Sequence, residues 1–180
     1  MGRDVIVACD FPSAKETFEF LDLFKGKKPF VKIGMELFYA EGPEIVRKIK
    51  SRGHRIFLDL KLHDIPNTVK KAMRVLSRLD VDMCNVHAAG TKGLMQAALE
   101  GLTRADGSRP LLIAVTQLTS TDDAMLRDEL LIQSPMNDTI LKYAENAYAA
   151  SLDGVVCSPL ESGMLRRHFT EKGAAFLTVT

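Results

Sequence analysis

The sequence predicts an α/β protein of the (β/α)8 TIM-type barrel class, with about seven strands and six helices in its 180 residues. Three observations carry that prediction. Short apolar, β-branched runs alternate with segments of helical periodicity. The runs are nearly continuous in apolar residues, as in a parallel sheet covered on both faces. No G-x-G-x-x-G follows the first strand, and the strand–helix unit repeats roughly every 25–30 residues, which favours a barrel over a dinucleotide-binding open sheet. The alternative is an open, doubly wound sheet of seven strands.

The first strand is expected over Val5–Cys9, followed by a helix over Ala14–Leu23 whose start is marked by Ser13 and by Glu16 three residues later, a capping-box pattern. Phe30–Ile33 is the second strand and Pro43–Arg52 the next helix, with Gly53 where it stops. A strand over Ile56–Leu60, a helix over Asn67–Leu79, a strand over Met83–Val86 and a helix over Lys92–Leu102 follow, Gly101 serving as the stop of the last. After the fifth strand, Leu111–Val115, comes the longest connection, Thr119–Asn137, readable as a lid or as a packed excursion. A helix over Thr139–Ser151, a strand over Gly154–Cys157, a helix over Leu160–His168 and a strand over Phe176–Val179 complete the series. No Gly-, Pro- or Ser-rich linker divides it, so residues 1–180 are expected to be one domain. A barrel of this class has eight strands and typically about 200–250 residues, so the domain is expected to be incomplete at its C-terminal end.

Composition removes several function classes. Lys plus Arg number 24 against 23 Asp plus Glu, a net charge of +1, so no global field draws the chain to nucleic acid or an anionic membrane. No apolar run approaches the roughly 20 residues of a membrane span, and the apolar stretch in MGRDVIVACDF is too short for a signal peptide, which makes the cytoplasm the expected location. Cys9, Cys84 and Cys157 are odd in number and far apart, and are expected to be buried thiols rather than disulfide or zinc partners. His63 and His87 lack the spacing of paired metal ligands and read as hydrogen-bonded structural residues. His54 and His168, at helix ends, read as surface residues.

In a parallel α/β barrel the chemistry gathers at the C-terminal ends of the strands. The first strand ends in Asp10, the second carries Lys32, and the third runs into Asp59-Leu60-Lys61-Leu62-His63-Asp64. Side chains two apart on a strand share a face, so Asp59 and Lys61 should point into the barrel mouth while Leu58, Leu60 and Leu62 face the helical layer. Lys32, Asp59, Lys61 and Asp64 then make an array of alternating charge that can hold each group ionised. Asp64 also reads as a cap for the helix beginning near Pro66. No Ser-His or Cys-His pair, nucleotide-binding glycine loop or metal cage accompanies the array, so no cofactor and no metal is expected. A Lys between two carboxylates keeps its proton, which suits it to stabilising a carbanion and then protonating it rather than to forming a Schiff base.

The stretch F-L-D-L-K-L-H-D-I-P-N-T-V, from Phe57 to Val69, resembles the D-x-K-x-x-D-I-P-x-T-V signature of the bacterial orotidine 5′-phosphate decarboxylase family. The likeness extends through F-V-K-I-G-M-E-L-F at Phe30–Phe38, N-V-H-A-A-G at Asn85–Gly90, A-V-T-Q-L-T-S-T at Ala114–Thr121, D-G-V-V-C-S at Asp153–Ser158 and the closing F-L-T-V-T. It implies a cytoplasmic homodimer that converts orotidine 5′-monophosphate to uridine 5′-monophosphate and carbon dioxide without metal or organic cofactor, a step of pyrimidine nucleotide synthesis. At matching positions Lys61 is the implied proton donor to C6 and Asp59 the neighbour of the departing carboxylate. Lys32 and Asp64 complete the network, with Asp64, Ile65 and Thr68 entering the partner subunit's site. Asp10 and Lys32 are the implied ribose contacts and Thr119 the pyrimidine contact. The family's phosphate-gripping loops, a Pro-Gly-x-Arg segment and a Gly-Arg pair, do not occur before Thr180, and their loss is expected to depress turnover as well as affinity. Two rival readings are a magnesium-dependent sugar-phosphate lyase of the same suprafamily and an inactive fragment that only self-associates.

Overall fold

Seven parallel strands pair strictly in chain order: β1 (Ile6–Ala8), β2 (Phe30–Ile33), β3 (Ile56–Leu62), β4 (Met83–His87), β5 (Leu111–Val115), β6 (Gly154–Val156) and β7 (Leu177–Val179). The computed structural model describes residues 4–180, so Met1–Arg3 of the segment judged for a leader lie outside the described residues. A doubly wound sheet reverses its strand order at a switch point, and this one never does, which decides for the barrel class. The sheet is curled into a half-barrel. Ile6 from one edge strand and Val179 from the other pack on the same inner cluster, Phe30, Phe57, Met83 and Ile113, and both line one cavity on the concave face. The larger core lies on the outer face, where Val31, Ile33, Leu58, Leu60, Leu112 and Val155 meet the helices.

Among the described residues eight α-helices alternate with or follow the strands: α1 (Ala14–Asp22), α2 (Met35–Glu41), α3 (Pro43–Ser51), α4 (Pro66–Leu76), α5 (Thr91–Leu102), α6 (Asp123–Asp128), α7 (Met136–Ala149) and α8 (Pro159–Glu171). Two of them, α2 and α6, were not expected from the sequence. Both are short, and each buries a single anchor, Leu37 in α2 and Leu126 in α6, so neither shows helical periodicity in its apolar residues. Within the Thr119–Asn137 connection, Asp122 caps the start of α6 by accepting from the Met125 amide and Leu126 is buried, while most of the segment is exposed. The Ser13 box is half formed, its hydroxyl accepting from the Glu16 amide, and the complete capping box is at Ser158 and Glu161.

Gly101 does not stop its helix. It lies inside α5, where a Cβ would sit 2.1 Å from the Lys70 carbonyl oxygen of α4, so the glycine lets the two helices touch backbone to backbone. Gly101→Ala gains about 1 kcal/mol of helix propensity and loses more to that clash, whose other side is backbone and cannot swing away. The expected net loss is about 2 kcal/mol, a fall in Tm of about 4–8 °C, read by thermal unfolding. His54 is also not a surface residue: it is buried, with Nδ1 3.1 Å from the Pro29 carbonyl oxygen, closing the turn into β3. His168 is half-buried and lies 3.1 Å from Glu145.

The N-terminal ends of the strands are tied for stability. Asp82 accepts from the first amide of β3, Ile56, and from Lys50; Asp153 accepts from the Leu112 amide of β5 and takes a two-pronged contact from Arg109. These carboxylates satisfy strand amides that begin the ladder without an upstream partner. A cavity of about 620 Å³ on this side is lined by apolar Ile6, Phe30, Met83, Leu111 and Val179 together with Asp4, Arg55 and Arg166, of which Arg55 and Asp4 pair at 3.0 Å.

Candidate active site

The charged residues converge where β1, β2 and β3 end. Alternation along β3 sends Phe57 into the inner cluster and Leu58, Leu60 and Leu62 to the helical layer, leaving Asp59 and Lys61 on the inner face. Lys61 Nζ donates to Asp59 Oδ1 at 2.7 Å, Lys32 Nζ stands 3.6 Å from Asp59 Oδ2, and the same Lys32 Nζ donates to Asp10 Oδ1 at 2.8 Å. The order along this chain is Lys61, Asp59, Lys32, Asp10, with opposite charge at every step. Asp59 is buried, Lys32 and Lys61 are half-buried, and Asp10 is exposed at the rim. Each burial is compensated by the neighbouring opposite charge. Gly34 makes room for the pair at the rim, since a Cβ there would lie 3.1 Å from Asp10 Oδ1 and 3.5 Å from Lys32 Nζ.

Two backbone features aim Lys61. Its φ of 50° is left-handed, and the β3–β4 register slips between Leu58 and Leu62, so that four steps along β3 match two along β4. A lysine in this conformation costs on the order of 1–2 kcal/mol and survives only where its surroundings hold it. The holding group is one the sequence did not flag. Asn85, buried in β4, accepts from the Lys61 amide through Oδ1 at 2.8 Å and donates through Nδ2 to Asp59 Oδ1 at 2.6 Å. An asparagine within the apolar strand M-C-N-V-H was the available signal, because a buried amide must find partners.

The other expected site residues lie apart from this chain of charge. Asp64 makes no ion pair among the described residues; its Oδ1 accepts from the Ile65 amide, and Ile65, without a side-chain bond, occupies the cap position of α4. The four-member array therefore does not close within one chain, and Asp64 is not the helix cap. Ile65 and Thr68 are exposed beside it, and Thr119 is exposed in the turn after β5. A cleft of about 360 Å³ opens here, lined by Met35, Tyr39, Lys61, Asp64 and Thr68 among others. His63 and His87 do not hydrogen-bond to each other; their rings stack 5.3 Å apart, and His87 Nδ1 accepts from the Ala89 amide. Burial, with help from His63 and Lys61, pulls the His87 imidazole below its usual range, which keeps Nδ1 free to accept. The three cysteines are free and buried; burial raises the Cys9 and Cys157 thiols to about 11 and that of Cys84 to about 12, so none is poised as a nucleophile. Among the described residues no cluster of His, Cys, Asp or Glu is gathered so as to hold a metal ion, and no helix is long and apolar enough to cross a membrane.

The chain is similar to known proteins over nearly its whole length. A family model described as orotidine 5′-phosphate decarboxylase / HUMPS family matches residues 3–180. The orotidine 5′-phosphate decarboxylase of Geobacillus sp. (strain WCH70) is 56% identical over 183 residues, which span 100% of this chain and 75% of that protein. Among solved structures, orotidine 5′-phosphate decarboxylase from Lactobacillus acidophilus superposes with a TM-score of 0.89 at 41% identity, covering 99% of this chain and 80% of that one. The orotidine 5′-monophosphate decarboxylase of Methanocaldococcus jannaschii shares the fold, with a TM-score of 0.74 at 18% identity over 93% of this chain and 74% of that one. A match over nearly every residue, with identity above one half in a named relative, leaves one conclusion: the chain belongs to the orotidine 5′-phosphate decarboxylase family.

Proposed function

We propose that this protein decarboxylates orotidine 5′-monophosphate to uridine 5′-monophosphate, as a cytoplasmic homodimer, with Lys61 as the group that stabilises and then protonates the reacting carbon. The observation that carries this reading is the unbroken alternation Lys61, Asp59, Lys32, Asp10 at the mouth, with Lys61 Nζ 2.7 Å from a buried carboxylate. In the proposed reaction the bond between C6 and its carboxylate breaks, the electron pair stays on C6, and carbon dioxide leaves. The Lys61 ammonium, fixed beforehand, faces the charge as it forms and gives C6 its proton; solvent then restores the ammonium. Preorganised charge of this kind is commonly the largest catalytic contribution an enzyme makes. Asp59 holds Lys61 in place and lies against the departing carboxylate, while Asp10 and Lys32 meet the ribose hydroxyls and Thr119 the pyrimidine.

The exposed run from His63 to Thr68 supports the homodimer. Asp64 finds no cation among the described residues, and apolar Ile65 and Tyr39 stand 66% and 70% exposed beside the cleft that Lys61 lines. Patches of this kind, next to an unpaired carboxylate, suit a two-fold contact in which each chain lends Asp64, Ile65 and Thr68 to the other's site. The test is turnover of orotidine 5′-monophosphate in EDTA, followed as release of uridine 5′-monophosphate and carbon dioxide. Undiminished conversion in the chelator is the expected result; loss on chelation with rescue by magnesium overturns the reading in favour of a sugar-phosphate lyase.

A further inference from the structure

We propose that Asn85 is a positioning residue for the decarboxylation, a single amide that fixes both the carboxylate of Asp59 and the backbone of Lys61 so that the ammonium is aimed at the reacting carbon. The proposal rests on the assignment of Lys61 above and extends it to a residue that touches no substrate. Three independent features meet at Asn85. Its Nδ2 donates to Asp59 Oδ1, the same oxygen that receives Lys61 Nζ, so the amide selects which carboxylate oxygen holds the lysine. Its Oδ1 accepts from the Lys61 amide at the point where the β3–β4 register slips, taking the place of a carbonyl partner from β4. And Lys61 has its left-handed φ at that same point.

The three contacts close a ring: Asp59 carboxylate, Asn85 amide, Lys61 backbone, Lys61 side chain and back to the carboxylate. A ring of this kind removes the freedom of a long lysine side chain at both its ends. Without Asn85 the carboxylate keeps Lys61 and Lys32 as partners but loses the neutral donor that sets its rotation, and the Lys61 amide is left buried without an acceptor. Asp10 and Lys32, the groups proposed for the ribose, do not touch Asn85, so its loss should separate turnover from binding.

The experiment replaces Asn85 by Leu, which has the same number of side-chain heavy atoms branching at Cγ and makes neither hydrogen bond. The expected result is a kcat about 100-fold below the parent's, the scale of a misplacement near 1 Å, with KM and the Kd for uridine 5′-monophosphate changed by less than about threefold. Hydrogen exchange followed by NMR supplies a second reading that does not depend on activity. In the parent, the Lys61 amide and one Asn85 side-chain proton should exchange slowly; in a folded Asn85→Leu protein the Lys61 amide should exchange at least about tenfold faster. A folded Asn85→Leu protein with kcat within about threefold of the parent overturns the proposal. So does a parent in which both Asn85 side-chain protons exchange as freely as an exposed amide, and that measurement decides if the variant does not fold. A parent that holds the slow protons but releases no carbon dioxide refutes the proposed function and leaves the clamp intact as a structural fact.

Discussion

Replacing Lys61 by Ala is expected to lower kcat on the order of 10⁴-fold or more while leaving the Kd for uridine 5′-monophosphate within a few-fold of the parent's. The magnitude follows from two roles lost together. A positioned proton donor contributes about 10²–10⁴-fold and a fixed charge facing a developing anion about 10²–10³-fold, so the joint loss is roughly 6–10 kcal/mol of transition-state stabilisation at about 1.4 kcal/mol per decade. Binding is spared because the charge that Lys61 answers exists only after carbon dioxide has begun to leave. The substitution leaves Asp59 with Asn85 and Lys32 as partners, so its carboxylate is still partly satisfied and the barrel should fold. Lys61→Met, close in length and uncharged, separates charge from packing. It should be as inactive as Lys61→Ala, and a Met variant with near-parental turnover would remove the ammonium from its role.

How much of this was legible in the sequence depends on whether the signal was local. Lys32, Asp59 and Lys61 were readable as neighbours because the period of two in a strand and the rule that barrel chemistry sits at strand C-termini leave little freedom, and the structure places Asp59 2.7 Å from Lys61 and 3.6 Å from Lys32. Asp10 was placed by the same rule and lies on Lys32. Asn85 was not legible as a partner of Lys61, because its role exists only through the register slip, which depends on how two strands settle against each other. Gly101 misled because a glycine near the end of a helix looks alike whether it ends the helix or admits a neighbour; the Lys70 carbonyl decides, and it lies 31 residues away in the chain. His54 was misread for the same reason, its partner being the Pro29 carbonyl on the preceding strand's approach. The short helices α2 and α6 escaped because a single buried anchor gives no period to detect. Asp64 was legible as a charge but not as a partner, since among the described residues its carboxylate accepts only from the Ile65 amide.

The second large effect is the recovery of activity by mixing two inactive proteins. Asp64 and Thr68 are four residues apart at the exposed start of α4, so they lie roughly on one face, while Lys61 points into the mouth of its own chain. An isologous contact, as proposed, would let one chain's Asp64 complete the other's array, which alternates in charge and lacks that member among the described residues of one chain. Asp64→Ala alone is expected to lose most turnover, because every site then lacks its fourth charge. In a heterodimer of a Lys61→Ala chain and an Asp64→Ala chain, the site that keeps Lys61 also receives an intact Asp64 from its partner, while the other site lacks both. Random exchange of equal amounts makes half of the dimers mixed, so about a quarter of parental activity should return, rising to about half if only heterodimers are isolated. The measurement that bears most directly on the account is this complementation, made with the protein expressed from its natural gene and with subunit exchange shown separately by mass-labelled chains. Recovery of about a quarter to a half of parental carbon dioxide release is the predicted result; no recovery despite complete exchange, or full turnover by a monomeric variant, would contradict a site built from Lys61 of one chain and Asp64 of the other.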